Sequence, residues 1–490
     1  MKTLPRFWFE PRPWVDGVWQ PTDGTIAVRN PATGAVLAEV GRADERLVTR
    51  AIDGAARAFR TWSATPAATR GAVLSRLAAI LRARRDDYAT LLTAEQGKTW
   101  AQAAGEIEYA ATFFAWFGEE ARRVHGRIVP HPEAGREFLV ERRAAGVAGL
   151  VTPWNFPLAQ GAKKIAAALA AGCTAVWKPA ELTPLVALAL APLAAEAGVP
   201  DGVLQIVPGQ GSVVGGVFAA HPLVRIISLT GSTATGAHVL AAAAPGIKRV
   251  SLELGGNAPF IVLPDADLDF VAAELVRLKV FVSGQVCVTA NRVFVPESAA
   301  AELEARLAAR VAALVVGNGL ADGVDMGPLI HAAACRDVAT RVEAAVGEGA
   351  RIVTENRSAD AAADLDHANF SPPTVVAGVT DGMRLAQEEI FGPVIPLLAY
   401  RRVGEAVERA NATPYGLAAY VYGRDLDRCR AVAGALEVGI VGVNEWRPLK
   451  AEIPFGGVKQ SGMGAEGGEE GMREFLETRV VSMPRPGIEG

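Results

Sequence analysis

The sequence contains few cysteines and few histidines. Its four cysteines, Cys173, Cys287, Cys335 and Cys429, form no CxxC pair and no regular spacing, so a disulfide framework is not expected and a reducing cytoplasm fits best. The six histidines form no cluster typical of a metal site. His331 lies one predicted helical turn before Cys335, but two ligands on a surface helix do not make a metal site. The sequence therefore predicts no metal.

Long apolar runs and long basic runs are also lacking. The most apolar stretches, residues 165–177 and 185–195, end at Lys178 and Glu196, short of the roughly 18 residues that a membrane span needs. The first fourteen residues contain several prolines and Glu10 rather than the apolar core of a secretory signal. The formal net charge of -4 comes without a basic run, which disfavours nucleic acid and anionic membranes as partners. A cytoplasmic globular protein is expected.

Alternating strands and helices dominate the chain after residue 146. A chain of 490 residues, half of them hydrophobic, is long enough for two or three domains. Strands are predicted at 146–151, 173–178, 202–207 and 224–229, with helices at 162–171 and 184–198 between them. This alternation predicts βαβ units and a parallel, doubly wound sheet, which binds its ligand at the carboxyl ends of the strands.

Other parts of the chain differ in pattern. The first third is mainly helical, with helices predicted at 45–59, 71–92 and 106–123. A second series of strands and helices runs from 256 to about 445, so two α/β domains that share a cleft are expected. Residues 136–146 and 473–482 resemble extended strands that could pair, either as an oligomerisation arm or as a surface hairpin.

Polar residues follow two of the predicted strands. One strand runs into Thr230, Gly231 and Ser232 and then into a predicted helix, whose first N–H groups would bind a pyrophosphate. An ordinary strand-to-helix turn with Ser232 as N-cap explains the same residues equally well. Lys178 and Glu181 follow another strand, where they would grip ribose hydroxyls, although either alone would be a solvated charge.

Cys287 follows a Ser-Gly-Gln loop and precedes a predicted strand at 292–296. A buried core thiol is the ordinary role of a cysteine. Its place on a loop, rather than inside an element, favours a nucleophile. Cys173 opens an apolar strand and is predicted to be structural.

Seven short motifs carry a resemblance to a known family. They are TPWNFP at 152–157, KPAELTP at 178–184, LTGSTATG at 229–236, LELGGNAP at 252–259, SGQVC at 283–287, EEIFGPV at 388–394 and PFGGVKQSG at 454–462. In order and spacing they resemble the aldehyde dehydrogenase superfamily over nearly the whole chain. Residues 167–209 look most like the succinate-semialdehyde dehydrogenase branch.

The resemblance implies an α/β fold with a Rossmann-type NAD-binding domain, a second α/β catalytic domain and a small oligomerisation arm. It implies a homodimer or homotetramer. The expected domains are 1–121 with 145–255 for NAD binding, 256–445 for catalysis, and 122–144 with 446–490 for bridging and oligomerisation.

The resemblance also implies catalytic roles. Cys287 would be the nucleophile that attacks an aldehyde carbonyl. Asn155, with the backbone N–H of Cys287, would form the oxyanion hole. Glu253 would be the general base, and Glu466 matches a glutamate that relays protons in the family.

Nine positions match family residues that hold the dinucleotide. They are Thr152, Pro153, Trp154, Lys178, Glu181, Gly231, Ser232, Glu389 and Phe391. A carboxylate at Glu181 would hydrogen-bond a free ribose 2'-hydroxyl and repel a 2'-phosphate. NAD is therefore expected to be preferred, with NADP as a weaker alternative.

The substrate residues point in two directions. Alignment to the family places an apolar and aromatic lining around the aldehyde, formed by Tyr109, Phe156, Phe281, Val286, Val288 and Phe455. The branch usually carries two arginines that bind a substrate carboxylate, where this chain has Phe281 and Lys163. Lys163, Arg447 and Lys450 are candidate replacements, unless they are surface charges.

We therefore expect an acidic semialdehyde such as succinate semialdehyde as the substrate, with a benzaldehyde-type aldehyde as the alternative. A CoA-acylating relative is less favoured because such enzymes usually lack the glutamate present here as Glu253. A non-catalytic NAD-binding protein is disfavoured by the joint presence of Cys287, Asn155 and Glu253.

Overall fold

The computed structural model describes residues 2–354 and 365–485. The parts of the predicted domains that fall on residue 1, residues 355–364 and residues 486–490 lie outside the described residues. The α-helices of the described residues are α1 (Glu45–Trp62), α2 (Ala67–Ala83), α3 (Arg85–Gln96), α4 (Trp100–Glu120), α5 (Ala159–Ala171), α6 (Leu185–Leu188), α7 (Leu190–Ala197), α8 (Gly211–Ala220), α9 (Thr233–Ala243), α10 (Leu268–Val280), α11 (Ala300–Ala312), α12 (Ala332–Gly347), α13 (Arg384–Gln387), α14 (Val403–Asn411), α15 (Leu426–Gly434) and α16 (Gly468–Arg473). No helix among these residues is both long enough and apolar enough to cross a membrane.

The strands fall into two large sheets and three small ones. They are β1 (Trp14–Val15), β2 (Val18–Trp19), β3 (Thr25–Arg29), β4 (Val36–Gly41), β5 (Arg127–Pro130), β6 (Arg136–Ala144), β7 (Val147–Val151), β8 (Thr174–Lys178), β9 (Leu204–Ile206), β10 (Val224–Thr230), β11 (Arg249–Glu253), β12 (Ala258–Val262), β13 (Ala290–Pro296), β14 (Arg351–Ile352), β15 (Thr374–Ala377), β16 (Val394–Tyr400), β17 (Tyr415–Gly416), β18 (Ala418–Tyr422), β19 (Ile440–Val443), β20 (Val458–Lys459), β21 (Gly462–Met463) and β22 (Leu476–Pro484).

The first large sheet has the order β2-β1-β9-β8-β7-β10-β11-β21. Its five central strands, from β9 to β11, are parallel to one another. The short strands β1 and β21, which flank them, are antiparallel to their neighbours, and β2 pairs antiparallel with β1 at the outer edge. From β7 the chain moves outward through β8 and β9, then returns to the other side of β7 for β10 and β11. Strand order therefore reverses between β7 and β10, which is where a doubly wound sheet opens a crevice at its carboxyl edge.

The second large sheet has the order β14-β15-β16-β13-β12-β18-β19, and all of its strands are parallel except β14 at one edge. Helices cover both faces of each large sheet. In the first sheet, α5 contributes Ile165 to the core on one face and α1 contributes Ile52 to the core on the other. In the second sheet, Leu275 of α10 and Val338 of α12 do the same. The predicted α/β fold is confirmed.

The two predicted extended segments pair with each other. Strand β22 runs antiparallel to β6 over nine residue pairs, from Leu476 opposite Ala144 to Pro484 opposite Arg136. Strand β5 completes this three-stranded sheet on the other side of β6. The segment after residue 445 also contributes β21 to the first large sheet, where it pairs with β11. The division into domains stays a prediction.

Two predicted helices are each divided into two. The helix expected at 71–92 is broken at Arg84, whose φ of −100° and ψ of 13° are not helical, and α3 then begins with the acidic residues Asp86 and Asp87 in its first turn. The helix expected at 184–198 is broken at Ala189. Pro192 explains this second break, because it has no N–H to donate to Leu188 and its ring crowds that carbonyl.

Candidate active site

Cys287 lies on the loop between α10 and β13, at the junction of two cavities, and its side chain lines both of them. The thiol is half-buried. Burial, with a contribution from the Glu389 carboxyl, raises the pKa of Cys287 to about 12, while the ammonium of Lys163 acts in the opposite direction. The thiol is therefore protonated at neutral pH in this state and needs a base before it can attack a carbonyl.

The backbone before Cys287 has an unusual conformation. Val282, Ser283 and Gly284 have φ values of 51°, 54° and 75°, and the left-handed region is strained for a β-branched valine. Only glycine fits at position 284, because the Cβ of any other residue would lie 2.2 Å from the carbonyl oxygen of Gly392. Ser283 donates to the backbone oxygen of Gly327 at 2.8 Å, and the Gln285 side chain accepts from Ile330 N at 2.9 Å. These contacts hold the loop that carries the cysteine.

Asn155 reaches this loop from the carboxyl end of β7. Its Nδ2 donates to the backbone oxygen of Gln285 at 2.9 Å, and its Oδ1 has no hydrogen-bond partner in the described residues. A buried Lys98 donates to the backbone oxygen of Asn155 at 2.8 Å and lies 2.5 Å from Glu106. The amide of Asn155 is thus fixed beside the loop that carries Cys287.

Glu253 ends β11, the strand beside β10. It is 2% exposed, and neither carboxylate oxygen has a hydrogen-bond partner among the described residues. Burial, reinforced by the nearby Glu466 carboxylate, raises the pKa of Glu253 well above its usual range. A buried carboxyl group with a raised pKa and no hydrogen-bond partner is suited to exchange protons with a bound group.

Glu466 lies beside α5. Its carboxylate accepts hydrogen bonds from Lys164 Nζ and Thr230 Oγ1, and it lies 3.6 Å from Lys163 Nζ. Burial alone would raise the pKa of Glu466, but the two ammonium groups outweigh it and hold that pKa below its usual value. Glu466 therefore remains ionised while Glu253 is the carboxyl group that gains a proton.

The first cavity brings together eight of the nine predicted substrate residues. Its lining consists of Tyr109, Phe156, Ala159, Gln160, Lys163, Leu278, Phe281, Val286, Cys287, Val288, Trp446, Arg447, Leu449 and Phe455. Lys450 is exposed and does not line the cavity, because Trp446 and Leu449 occupy the inward positions of its loop. The cavity wall is mostly apolar and aromatic.

The two cations in this wall differ in their contacts. Lys163 is 3% exposed, and its ammonium lies 4.0 Å from the centre of the Phe455 ring and near Glu466. Burial alone would lower the pKa of Lys163, but Tyr109 and Glu466 outweigh it and raise that pKa. The guanidinium of Arg447 lies 4.9 Å from the Phe281 ring centre, and burial lowers the pKa of Arg447. Within residues 2–354 and 365–485, Arg447 makes no ion pair.

The second cavity lies at the crevice predicted by the strand order. Its lining consists of Pro153, Trp154, Asn155, Gln160, Thr230, Gly231, Ser232, Leu254, Gly255, Cys287, Glu389 and Phe391. The indole of Trp154 meets the Phe391 ring edge-on, with 5.6 Å between ring centres. Thr152 lies behind this cavity, where its hydroxyl accepts from the indole N–H of Trp177 at 2.9 Å.

The strand-to-helix turn at Ser232 serves as a helix cap. The Ser232 hydroxyl accepts from Thr235 N at 3.2 Å, at the beginning of α9. The turn also lines the second cavity, so capping and anion binding are compatible at this helix N-terminus. Two strands away, after β8, Glu181 accepts from Gly211 N at 2.7 Å and from Lys178 Nζ at 2.6 Å. The residues that line the second cavity fit a dinucleotide laid across the crevice, whereas Lys178 and Glu181 are not part of that lining.

Several residues of the site were not predicted from the sequence. Gln160 lines both cavities, Lys164 binds Glu466, and Lys98 and Glu106 support Asn155. The signal available for Lys98 and Glu106 was their opposite charge 8 residues apart, which by itself resembles an ordinary surface pair.

Comparison with known proteins identifies the family. The family model of the aldehyde dehydrogenase family matches residues 19–481. The chain is 43% identical over 475 residues to a 3-sulfolactaldehyde dehydrogenase of Pseudomonas putida, covering 96% of each chain. It is 44% identical over 470 residues to a mitochondrial succinate-semialdehyde dehydrogenase of Arabidopsis thaliana, covering 96% of this chain and 88% of the relative. A succinate-semialdehyde dehydrogenase [NADP(+)] of Escherichia coli strain K12 is 41% identical over 475 residues, which is 96% of this chain and 98% of the relative.

Solved structures agree. A succinate-semialdehyde dehydrogenase from Burkholderia pseudomallei matches with a TM-score of 0.93 and 43% identity, over 97% of this chain and 98% of that chain. A betaine aldehyde dehydrogenase from Staphylococcus aureus in complex with NAD+ matches with a TM-score of 0.95 and 34% identity, over 98% and 96% of the two chains. This chain belongs to the aldehyde dehydrogenase family, as its motifs predicted. It is an oxidoreductase that acts on aldehydes, in a family that uses nicotinamide cofactors.

Proposed function

We propose that the protein oxidises a short aldehyde with a terminal anionic group to the carboxylic acid, with NAD preferred over NADP and with Cys287 as the covalent nucleophile. The observation that carries this proposal is the position of Cys287, which lines both the aromatic cavity and the crevice at the strand reversal. A thiol at this junction can contact an aldehyde on one side and a dinucleotide on the other.

Activation of the thiol falls to Glu253. Its unpaired carboxylate takes the proton of Cys287, and the thiolate adds to the aldehyde carbonyl. Asn155 Nδ2 and the backbone N–H of Cys287 donate hydrogen bonds to the resulting oxyanion. Preorganised donors of this kind lower a barrier by roughly 3 kcal/mol each.

The thiohemiacetal on Cys287 is next oxidised and hydrolysed. The chemistry that a nicotinamide dinucleotide supplies when bound is acceptance of the hydride, which leaves a thioester on Cys287. Glu253 then removes a proton from the attacking water, and the carboxylic acid leaves with the thiol restored. Lys164 and Glu466 influence Glu253 electrostatically, and Glu466 accepts hydrogen bonds from Lys164 and Thr230, so Glu466 is the group proposed to relay the proton of Glu253.

Arg447 is the residue proposed to bind the substrate anion. Its guanidinium is partly buried against Tyr109 and Phe281 and has no acidic partner in the described chain, and a desolvated cation without an anion is costly. Lys163 adds positive potential but is already engaged by Glu466. Two relatives named for succinate semialdehyde and one for 3-sulfolactaldehyde, whose names specify anionic aldehydes, support this choice.

A benzaldehyde-type substrate is the second candidate. The rings of Tyr109, Phe156, Phe281 and Phe455 line the same cavity and would pack against an aromatic aldehyde. The two candidates differ in whether Arg447 or the rings dominate binding.

The choice is tested with succinate semialdehyde and butanal, which differ chiefly in the terminal carboxylate. We expect kcat/KM to favour succinate semialdehyde by at least about tenfold, and Arg447→Met to reduce this ratio to near one, because a charge-assisted contact is worth about 1.5–3 kcal/mol. Lys450→Met is the matched control, since Lys450 is exposed outside the cavity. A wild-type ratio near one, or a clear preference for benzaldehyde, would exclude the anionic substrate. Sustained turnover without coenzyme A would indicate that the thioester is hydrolysed, whereas a requirement for coenzyme A would indicate acyl transfer.

The preference for NAD rests on Glu181. Its carboxylate occupies the N-terminus of α8 together with the ammonium of Lys178, so a 2'-phosphate placed there would meet a negative charge. The Escherichia coli relative is named for NADP(+), so the two cofactors have to be compared directly. Higher kcat/KM with NAD than with NADP is expected, and Glu181→Ala should narrow the difference. A wild-type preference for NADP would contradict this role of Glu181.

A cytoplasmic homo-oligomer is proposed as the working form. The three-stranded sheet of β5, β6 and β22 leaves two edge strands unpaired in one chain, and Ile128 and Val480 on these edges are 67% and 60% exposed. Edge strands with exposed apolar residues favour association with another copy.

A further inference from the structure

Gln160 occupies a distinctive position between the two cavities. It lies in the first turn of α5, where its backbone N–H donates to Phe156 O at 3.0 Å, and its side chain lines both the aromatic cavity and the crevice. Cys287 also lines both cavities, so Gln160 and Cys287 lie together at the boundary between them. An aldehyde bound at Cys287 would therefore share both cavities with Gln160, and the atoms next to its carbonyl are the ones nearest to the reacting centre.

The amide of Gln160 is buried and incompletely bonded. The residue is 5% exposed, and its Oε1 has no hydrogen-bond partner among the residues that the structure describes. A buried amide oxygen without a partner costs about 1–3 kcal/mol, so polar side chains are retained in such places when a ligand completes the bond. An apolar side chain would otherwise suit a wall made of phenylalanine, leucine and valine.

The neighbouring charges decide which donor fits this oxygen. Lys163 lies one turn further along the same face of α5, and Arg447 faces the same cavity, so a substrate ammonium would be repelled. A carboxylate or sulfonate oxygen has no proton to donate to Oε1. A hydroxyl is neutral, donates to Oε1 and accepts from the amide nitrogen.

We infer that Gln160 hydrogen-bonds a hydroxyl group on the carbon next to the aldehyde, so that the preferred substrates are short 2-hydroxyaldehydes with a terminal anion. This inference rests on the proposed function, because it places the aldehyde carbon at Cys287 and the anion at Arg447. It makes Gln160 a specificity-determining residue. The hydroxyl distinguishes the substrate from an otherwise identical aldehyde, since a buried polar group left unpaired by the wrong substrate penalises that substrate.

The test compares 2-hydroxypropanal with propanal, which differ only in this hydroxyl. Each is assayed with saturating dinucleotide in the wild type, in Gln160→Met and in Gln387→Met, an exposed glutamine outside both cavities. Methionine keeps the length of the side chain and removes the hydrogen bond. We expect the wild type to favour 2-hydroxypropanal by at least about tenfold in kcat/KM, Gln160→Met to bring the ratio close to one, and Gln387→Met to keep the wild-type ratio.

Three results would overturn the inference. They are a wild-type ratio near one, a ratio that survives in Gln160→Met, and a Gln160→Met variant that raises the KM of the dinucleotide while its substrate ratio is unchanged. The last result would assign the amide to the cofactor. Failure of the proposed function is distinguishable, because it would appear as a wild-type kcat/KM ratio near one for succinate semialdehyde and butanal, whatever the ratio for 2-hydroxypropanal and propanal. Circular dichroism and the melting temperature of Gln160→Met show whether the variant is folded.

Discussion

At the scale of single residues, the thiol of Cys287 is held in its neutral form until a base removes its proton, because its pKa is raised to about 12. Burial raises the pKa of both Cys287 and Glu253, so a free thiolate does not accumulate in the absence of ligands. This protects the nucleophile from oxidation and alkylation, which require the thiolate. The same burial makes the reactivity of the cysteine depend strongly on pH.

Alkylation of Cys287 by iodoacetamide measures this dependence. With its pKa raised to about 12, the thiolate fraction should grow about tenfold for each pH unit between pH 7 and pH 10. The rate is followed by mass spectrometry of the peptide that contains Cys287, in enzyme without dinucleotide, and Cys287→Ala gives the background. A rate that levels off near pH 8.5 would show that the thiol has an ordinary pKa.

The variant Glu253→Gln tests whether Glu253 is the general base. Glutamine keeps the shape of the side chain but cannot accept a proton, so kcat should fall by about 10²- to 10⁴-fold and the thioester on Cys287 should accumulate. Intact mass after mixing with aldehyde and dinucleotide reports the adduct. Wild-type turnover in this variant would mean that another group acts as the base.

The catalytic residues were predicted from distinctive motifs, and their roles stay predictions. The structure brings two of them, Cys287 and Asn155, to one cavity, and Glu253 lies at the end of β11 in the same sheet as β7. Gln160 was missed because a glutamine within an apolar helix has no pattern of its own until the helix is placed against a cavity. Lys450 was predicted to bind the substrate but is exposed outside the cavity, because charge alone does not reveal whether a loop side chain turns inward.

At the scale of elements, the loop between β7 and α5 is held in place by the buried ion pair of Lys98 and Glu106. Lys98 lies just before α4, and Glu106 lies in α4. Glu106 of α4 accepts from the backbone N–H groups of Leu158 and Ala159 at 3.1 Å each, and so caps the N-terminus of α5. Its partner Lys98 holds the carbonyl oxygen of Asn155. The position of the proposed oxyanion donor is thus set by α4.

Lys98→Met and Glu106→Gln should each lower kcat/KM by about 10- to 100-fold, because small displacements of a catalytic group cost about this much. Each should also lower stability by about 3–5 kcal/mol, because one buried charge loses its partner. The double variant Lys98→Met/Glu106→Leu should recover stability but not kcat. Arg82→Met breaks an exposed pair with Glu108 and serves as the control. A double variant with wild-type kcat would contradict the positioning role.

Element boundaries were predicted less well than element types. The breaks at Arg84 and Ala189 depend on a local turn and on one proline, whereas apolar periodicity continues across both positions. The parallel strands around β7 were predicted correctly because their apolar runs are separated by clear helices. The pairing of β6 with β22 was predicted although the segments lie hundreds of residues apart, because both show an extended pattern.

At the scale of the whole molecule, the three-stranded sheet of β5, β6 and β22 predicts that the protein forms an oligomer. Replacing both Ile128 and Val480 by glutamate should reduce the mass measured by light scattering from that of an oligomer to that of one chain of 51.2 kDa, because the charges oppose burial of the two edges. Leu426→Glu, at an exposed position of α15 outside this sheet, should leave the mass unchanged. A wild-type protein that is already monomeric would contradict the proposal.

The segment around residues 462–466 contributes a strand to the first large sheet and a carboxylate to the candidate site. Strand β21 adds to the edge of the first sheet, and Glu466 reaches Lys164 across 302 positions of sequence. A nascent chain halted before residue 462 already holds every parallel strand of that sheet, but α5 lacks the carboxylate that neutralises its buried lysines. The charge balance of these buried lysines therefore depends on a segment that is synthesised only after all of the parallel strands of the sheet.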